Sequence, residues 1–441
     1  MSSVALSMIV KNAEKTLQAC LDSVAGVVQE VAVADTGCTD STVAIAEACG
    51  AKLITIRWEN DFGLARNRAL KEVRSEWVLV LDADELLDPA AAVRIPALLT
   101  RSEATGYLVP IHNYVLSLSE RLWDRPAKPN HSEFRAAQSY PAYVEHENVR
   151  LFRRLPGIEF VGRVHETVGP SILASGGKLG QANFIIHHFG LAADAATRAR
   201  KNILYRDLGR EKVREMPENA QAHFELGLVE FDNFHNDAEA LKCFERSCQL
   251  NPRLAVAWLF CGLAHLRLGK ATEALHCLLR AEGNGFRTSL TAETLGDAFY
   301  NLGDFESARR SYRRAVERGG KSASVESKLG LTEVRLGRTS GGLDRMRQAL
   351  EREPQLGELY DRLVTAQVWL GRLDEAAEVA ERRLAATDVL PASFLRAASI
   401  RAQRREWRRA EEVLKRGLGQ FPSADILRRA ITEVVMSRLR M

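Results

Sequence analysis

The stretch VLVLDADE, residues 78–85, ends a short apolar run on the acids Asp82, Asp84 and Glu85. An unbroken aliphatic run of this length fits a strand covered on both faces, as in a parallel sheet. Acids placed where such a strand stops have two readings. They can cap the turn into the next element. They can also hold a divalent cation, because hard cations take carboxylate oxygens and share their remaining positions with substrate phosphates.

Upstream, strand-like and helix-like segments alternate. LSMIV, VQEVAVAD, KLITIRW and EWVLVLD read as strands; NAEKTLQACLDSV, STVAIAEACG and FGLARNRALKEVR read as the helices between them. That alternation argues for βαβ units and a mostly parallel sheet. Ligands of such sheets bind beyond the carboxyl ends of the strands. The residues expected there are Lys11 and Asn12, Asp35 within ADTGCTD, the segment Trp58 to Phe62, and DADE. A glycine-rich phosphate loop is absent, so a bound phosphate would need another source of positive charge.

After about residue 220 the text changes. Ala240, Ala274, Ala308, Gly342, Ala376 and Ala410 follow one another at intervals of 34 residues. Gly262, Gly296 and Gly330 keep the same interval, and Gly227 precedes them by 35. Small residues at these points let paired helices approach closely. Aromatics recur at Trp258, Tyr360 and Phe394, and Pro252, Pro354 and Pro422 fall after second helices. A 34-residue helix–turn–helix period resembles the tetratricopeptide repeat, in about six copies. Such repeats stack into an all-α solenoid whose concave face commonly takes a peptide or protein; the same array could serve as a spacer or dimerisation platform. The resulting division is 1–190 for the α/β domain, 191–219 for a helical connector without linker composition, and 220–441 for the repeats.

Totals narrow the function. With 441 residues, two or three domains are expected. Against 61 basic residues stand 57 acidic ones, a net charge of +4 that gives no reason to expect nucleic-acid binding. The cysteines number seven, without a C-x-x-C pair, which argues against a disulfide framework or zinc site and for a reducing compartment. No segment approaches a bilayer span and the N-terminus lacks a signal-peptide pattern. A cytoplasmic location is expected, with peripheral membrane association compatible with it.

Taken in order, LSMIVKNAE, VAVADTGCTDST, WENDFGLARNRAL and WVLVLDADE, followed by VRLFRR, GRVHETV and HHFG, resemble the catalytic domain of glycosyltransferase family 2, which has the GT-A fold. With the repeats behind it, the chain resembles the bacterial branch that carries a tetratricopeptide array. The resemblance implies a nucleotide-diphosphate sugar donor, UDP-linked in first preference, a Mn2+ or Mg2+ cofactor and an inverting transfer. It implies that Asp35 contacts the base, that Arg66 lies near the phosphates with Asn67 beside it, that Asp82 faces the ribose or metal, and that Asp84 binds the metal. A late histidine often adds a ligand, pointing to His188 and, second, His187. Val10, Lys11 and Asn12 would wall the nucleotide pocket. Two departures stand out. Cys38 replaces the usual Ser, and the usual acidic motif carrying the base is not recognisable. An inverting transfer needs a group that takes the acceptor's proton. Glu166 with His165 is preferred over Glu147.

The stretch from Tyr114 to Tyr143 is the least regular part of this half and is expected to form a flap over the site. The acceptor is expected to be a peptide or protein, a saccharide or a lipid-linked glycan, recruited in part by the repeats. The rival reading is a protein-interaction scaffold whose transferase half no longer catalyses. The oligomeric state is left open.

Overall fold

The computed structural model describes residues 2–100, 103–116, 120–122, 125–190, 195–319, 322–386 and 388–440. The chain divides into two compact units, Met1–Leu250 and Asn251–Met441.

The first unit opens as the alternation predicts: β1 (Val4–Val10), α1 (Leu17–Val24), β2 (Glu30–Asp35), α2 (Thr42–Ala48), β3 (Lys52–Thr55), α3 (Phe62–Lys71) and β4 (Trp77–Val80). These strands lie parallel in the order β3-β2-β1-β4. β4 shows why its sequence is continuously apolar. Trp77, Leu79 and Leu81 enter one core beside α1, while Val78 and Val80 enter a second core with Phe152 and Phe160.

The sheet continues with elements that alternation does not announce. They are β5 (Glu85–Leu87), α4 (Ala91–Thr100), β6 (Gly106–Val115), the short β7 (Arg121–Leu122), β8 (Arg125–Pro126) and β9 (Lys128–Pro129), β10 (Ala142–Arg153), α5 (Gly169–Ala174), β11 (Leu179–Gln181) and β12 (Ile186–His188). β10 runs antiparallel between β4 and β6, β12 is parallel to β6, and β5 closes antiparallel on β12 with Glu85 opposite His188. The result is a mixed, GT-A-like sheet. β6 and β10 take the two ends of the stretch expected as a flap; residues 117–119 and 123–124 of that stretch lie outside the described residues.

Three further helices complete this unit: α6 (Ala195–Glu215), α7 (Ala220–Leu228) and α8 (Asp237–Leu250). α6 is clasped to the loop before α5. Lys212 Nζ donates to the Val164 carbonyl at 2.9 Å and meets Glu225 at 2.7 Å, and Arg163 pairs with Glu215. Residues 191–194 of the expected connector lie outside the described residues.

The second unit is a succession of antiparallel helix pairs: α9 (Ala255–Arg267) with α10 (Ala271–Gly283), α11 (Ser289–Asn301) with α12 (Phe305–Gly319), α13 (Ala323–Arg335) with α14 (Thr339–Arg352), α15 (Gly357–Trp369) with α16 (Leu373–Arg383), and α17 (Pro391–Gln403) with α18 (Trp407–Gln420), followed by α19 (Asp425–Leu439). The periodic small residues sit where the helices of a pair cross. A Cβ at Gly330 would lie 2.6 Å from Met346 Cγ and 2.7 Å from the Gly342 carbonyl oxygen. Two of the recurrent aromatics are tied to the recurrent prolines: Trp258 Nε1 donates to the Pro252 carbonyl at 2.9 Å, and the Tyr360 hydroxyl to that of Pro354 at 3.0 Å. No described helix is long and apolar enough to cross a membrane.

Candidate active site

β4 delivers Asp82 and Asp84 just past its carboxyl end. α3 delivers Arg66, because Asp61 caps the helix by accepting from the Leu64 amide at 2.8 Å. Gly63, in the first turn, has no room for a side chain, since a Cβ there would lie 2.5 Å from the Gly162 carbonyl oxygen. That close approach sets α3 against the loop that carries Glu166.

Arg66 is buried and spends its guanidinium inward: Nη2 to Asp82 Oδ1 and Nε to Glu166 Oε1, each at 2.6 Å. From the other side Arg150 reaches Glu85 Oε1 at 2.8 Å and Asp82 Oδ2 at 3.3 Å. Glu85 Oε2 accepts from the Asp82 amide at 2.8 Å. Burial opposes the charge on Asp82, but Arg66 and Arg150 outweigh it and hold the carboxyl below the ordinary range. The same burial, helped by Asp82 and opposed by Arg150, pushes the Glu85 carboxyl up.

Asp84 faces His188 across the β5–β12 pairing, Oδ2 to Nε2 at 3.5 Å. Burial would raise the Asp84 pKa and lower that of His188; their mutual attraction reverses both shifts. His188 is oriented from behind. Asn113 donates to the Val144 carbonyl at 3.0 Å and to His146 Nδ1 at 2.7 Å, so its amide oxygen is the end that faces His188 Nδ1, at 2.7 Å. Nδ1 therefore carries a proton, and Nε2 is the nitrogen turned to Asp84. His187 is engaged elsewhere, between the Tyr114 hydroxyl at 2.7 Å and Asp88 at 3.3 Å, stacked on Phe134.

The other expected residues sort as follows. Asp35 ends β2 beside Val10, the last residue of β1. Its Oδ1 accepts from the Cys38 amide at 2.7 Å and the Gly37 amide at 2.9 Å. Asn12, at a left-handed φ of 50°, ties the same turn through its Oδ1 to the Thr39 amide at 2.8 Å, and Lys11 bonds the Gly37 carbonyl. Asn67 uses both ends of its amide on the Phe160 backbone, at 2.9 and 2.7 Å, and so holds the loop before Glu166. Glu166 enters the cluster as a partner of Arg66. His165, at φ 52°, lies beside Tyr205, ring centroids 5.9 Å apart. Glu147 accepts from Gln181 at 2.7 Å.

Arg150 and Asn113 were not singled out by the sequence, and Glu85 was noted only as one of the acids that end the apolar run. Arg150 had a signal: it interrupts the apolar strand text V-R-L-F, and the register of β10 on β6 slips between Val149 and Leu151. A bulge of this kind re-aims a side chain.

With this geometry in place, comparison with known proteins is informative. Residues 6–156 match the family model of Glycosyl transferase family 2. Residues 293–331 match a tetratricopeptide repeat. The first unit thus carries a family 2 glycosyltransferase domain that holds Asp35, Arg66, Asp82, Asp84 and Arg150 within the matched stretch. A TPR repeat-containing protein of Synechococcus elongatus is 37% identical over 174 residues, 40% of this chain and 37% of that protein. The SPbeta prophage-derived glycosyltransferase SunS of Bacillus subtilis is 26% identical over 257 residues, 55% of this chain and 53% of that protein. An uncharacterized glycosyltransferase of Rickettsia felis is 38% identical over 87 residues, 20% of this chain and 30% of that protein. The aligned stretches thus span from about a third to about half of the length of these relatives. Among solved structures, a tetratricopeptide repeat protein from Parabacteroides merdae aligns with a TM-score of 0.46 at 13% identity, over 54% of this chain and 94% of that one.

Proposed function

We propose that the glycosyltransferase domain moves a sugar from a nucleoside-diphosphate sugar, UDP-linked in first preference, onto an acceptor recruited in part by the repeats, with Mn2+ or Mg2+ as cofactor. One observation carries the reading. Asp84 and His188 Nε2 face each other across a gap that Gly190 leaves open, for a Cβ at Gly190 would lie 2.5 Å from Nε2 and closer still to Asp84 Oδ2. A carboxylate and an oriented imidazole nitrogen, with Asp82 beside them, suit a divalent cation. Asp84, His188 and Asp82 would hold it, and when bound it supplies positive charge to the diphosphate.

The remaining residues bind and orient. Asp35, with Val10 and Asn12 on the neighbouring strand end, is assigned to the nucleoside. Arg66 and Arg150 hold Asp82 ionised and fixed before any substrate arrives, so no reorganisation is needed during the reaction. Asn67 and Glu166 position Arg66. Proton acceptance from the acceptor is assigned to Glu166, with His165 as its neighbour. The acceptor classes are a peptide or protein, a saccharide and a lipid-linked glycan. The repeat array favours the first, held on its concave face.

Thermal unfolding with UDP or GDP, with and without Mn2+, tests the donor site. Ligand at a hundredfold excess over its Kd adds about 2.7 kcal/mol, roughly 5–10 °C for a unit of this size. We expect a Mn2+-dependent shift with one nucleotide, lost in Asp84→Ala and His188→Ala. No shift with either nucleotide would overturn the reading and favour a non-catalytic scaffold.

A further inference from the structure

The acids of the site outweigh its available cations. Arg66 and Arg150 are buried and already paired with Asp82, Glu166 and Glu85. A nucleoside diphosphate leaves its sugar as a trianion, and a divalent cation neutralises only two of those charges. Another positive group facing the diphosphate would complete the balance.

α6 supplies one. Lys201 lies one helical turn before Tyr205, and its ammonium sits 5.5 Å from the centroid of the Tyr205 ring. Tyr205 packs edge-on against Phe62, the first residue of α3, at 6.1 Å, and lies tilted against His165 at 5.9 Å. It therefore rests on the neighbours of both Arg66 and Glu166. The helix is fixed there by Arg163 with Glu211 at 3.7 Å and with Glu215, and by Lys212 on the Val164 carbonyl. The Lys201 side chain is exposed, and no described carboxylate lies within ion-pairing distance of it. Desolvation works to lower its pKa, but Tyr205, Asp84 and Asp82 together raise it, so the ammonium stays charged and feels the two aspartates of the site.

Resting on the donor-site reading above, we propose that Lys201, held by Tyr205, is a further diphosphate-binding cation of the transferase site, which makes α6 a wall of that site. In the transfer, the bond between the anomeric carbon and the diphosphate oxygen breaks with its electron pair on that oxygen. The acceptor nucleophile bonds the anomeric carbon and gives its proton to the base. Lys201 stays protonated throughout and faces the departing oxygen charge.

The full-length chain is titrated with UDP, GDP and the corresponding monophosphates in the presence of Mn2+, as wild type, Lys201→Ala, Lys201→Arg and Tyr205→Leu. We expect Lys201→Ala to weaken diphosphate binding roughly tenfold, one charge-assisted hydrogen bond's worth. Monophosphate binding should be unchanged, Lys201→Arg should restore the diphosphate, and Tyr205→Leu should fall between. The wild-type affinity should also drop more steeply with salt than that of Lys201→Ala. If the wild type binds a diphosphate and Lys201→Ala binds it equally well, this inference fails alone. If Lys201→Ala loses monophosphate and diphosphate alike, Lys201 is structural and the inference also fails. If the wild type binds no nucleotide, the donor-site reading fails and takes the inference with it.

Discussion

Gly190 carries more of the site's chemistry than its lack of a side chain suggests. Because a Cβ there would enter the gap between Asp84 and His188, Gly190→Ala should abolish the Mn2+-dependent stabilisation by nucleotide. The unliganded melting temperature should change far less, since the methyl meets only the ends of two side chains. Differential scanning fluorimetry with and without Mn2+ separates the two effects. Asp35 gives a pH signature. Burial opposes its charge, but the amides of Cys38 and Gly37 and the Lys11 ammonium win, so its pKa in the folded chain is below the ordinary 3.8. Its contribution to stability is therefore complete above that unfolded value and is lost as pH falls through the lower folded one. The stability gap between wild type and Asp35→Asn should be constant near neutrality and shrink in acid, measured by denaturant unfolding at successive pH values. At this scale the sequence was readable where a residue's role lies in a short block. Asp82 and Asp84 stand out because an apolar strand ends on them. Arg150 and Asn113 did not, because their partners lie 65 to 75 residues away, across sheet pairings that no local pattern encodes.

Among elements, the helix pairs of the second unit depend on the absence of atoms. Gly330→Ala would push a methyl against Met346 and the Gly342 carbonyl, and overpacking of this kind costs about 1–3 kcal/mol; chemical denaturation followed by far-UV circular dichroism should show the loss. A turn offers the opposite change. Gly269, Gly303, Gly337 and Gly371 close successive pairs at left-handed φ of 71–80°, whereas Arg405 occupies the corresponding place at φ 61°. Left-handed backbone costs an L-residue about 1–2 kcal/mol, of which glycine's greater unfolded-state freedom returns a part. Arg405→Gly should therefore stabilise the α17–α18 pair by roughly 0.5–1 kcal/mol, read in the same experiment. These elements were legible because 34-residue spacing and close helix approach have one cause. β1 to β4 were legible because strands buried on both faces leave continuous apolar text. β6 and β10 were not, since His112, Asn113, Glu145 and His146 interrupt their apolar pattern, and the stretch between them looks like loop.

For the whole chain, the compact first unit runs to Leu250 and takes in α6, α7 and α8 together with the sheet. The sequence blocks end where the sheet ends, while the clasp of α6 on the 161–167 loop is a tertiary feature without a motif. Truncation after residue 250 should keep the Mn2+-dependent nucleotide shift, and truncation after residue 190 should lose it, because the loop bearing Glu166 then lacks its support. In the 250-residue piece, donor hydrolysis should persist while transfer to a macromolecular acceptor falls; equal transfer by that piece would remove the repeats from acceptor recruitment. The even spacing of the array reaches further than stability. Recombination that joins one repeat to the same position of another removes or adds 34 residues and returns every glycine to a partner of the same kind. A register error of a single residue inside a helix would instead turn the remainder of that helix by about 100° and bury its polar face. The length of such a repeat array can therefore change in whole rungs, while the carboxylates, encoded apart from the array, keep their places.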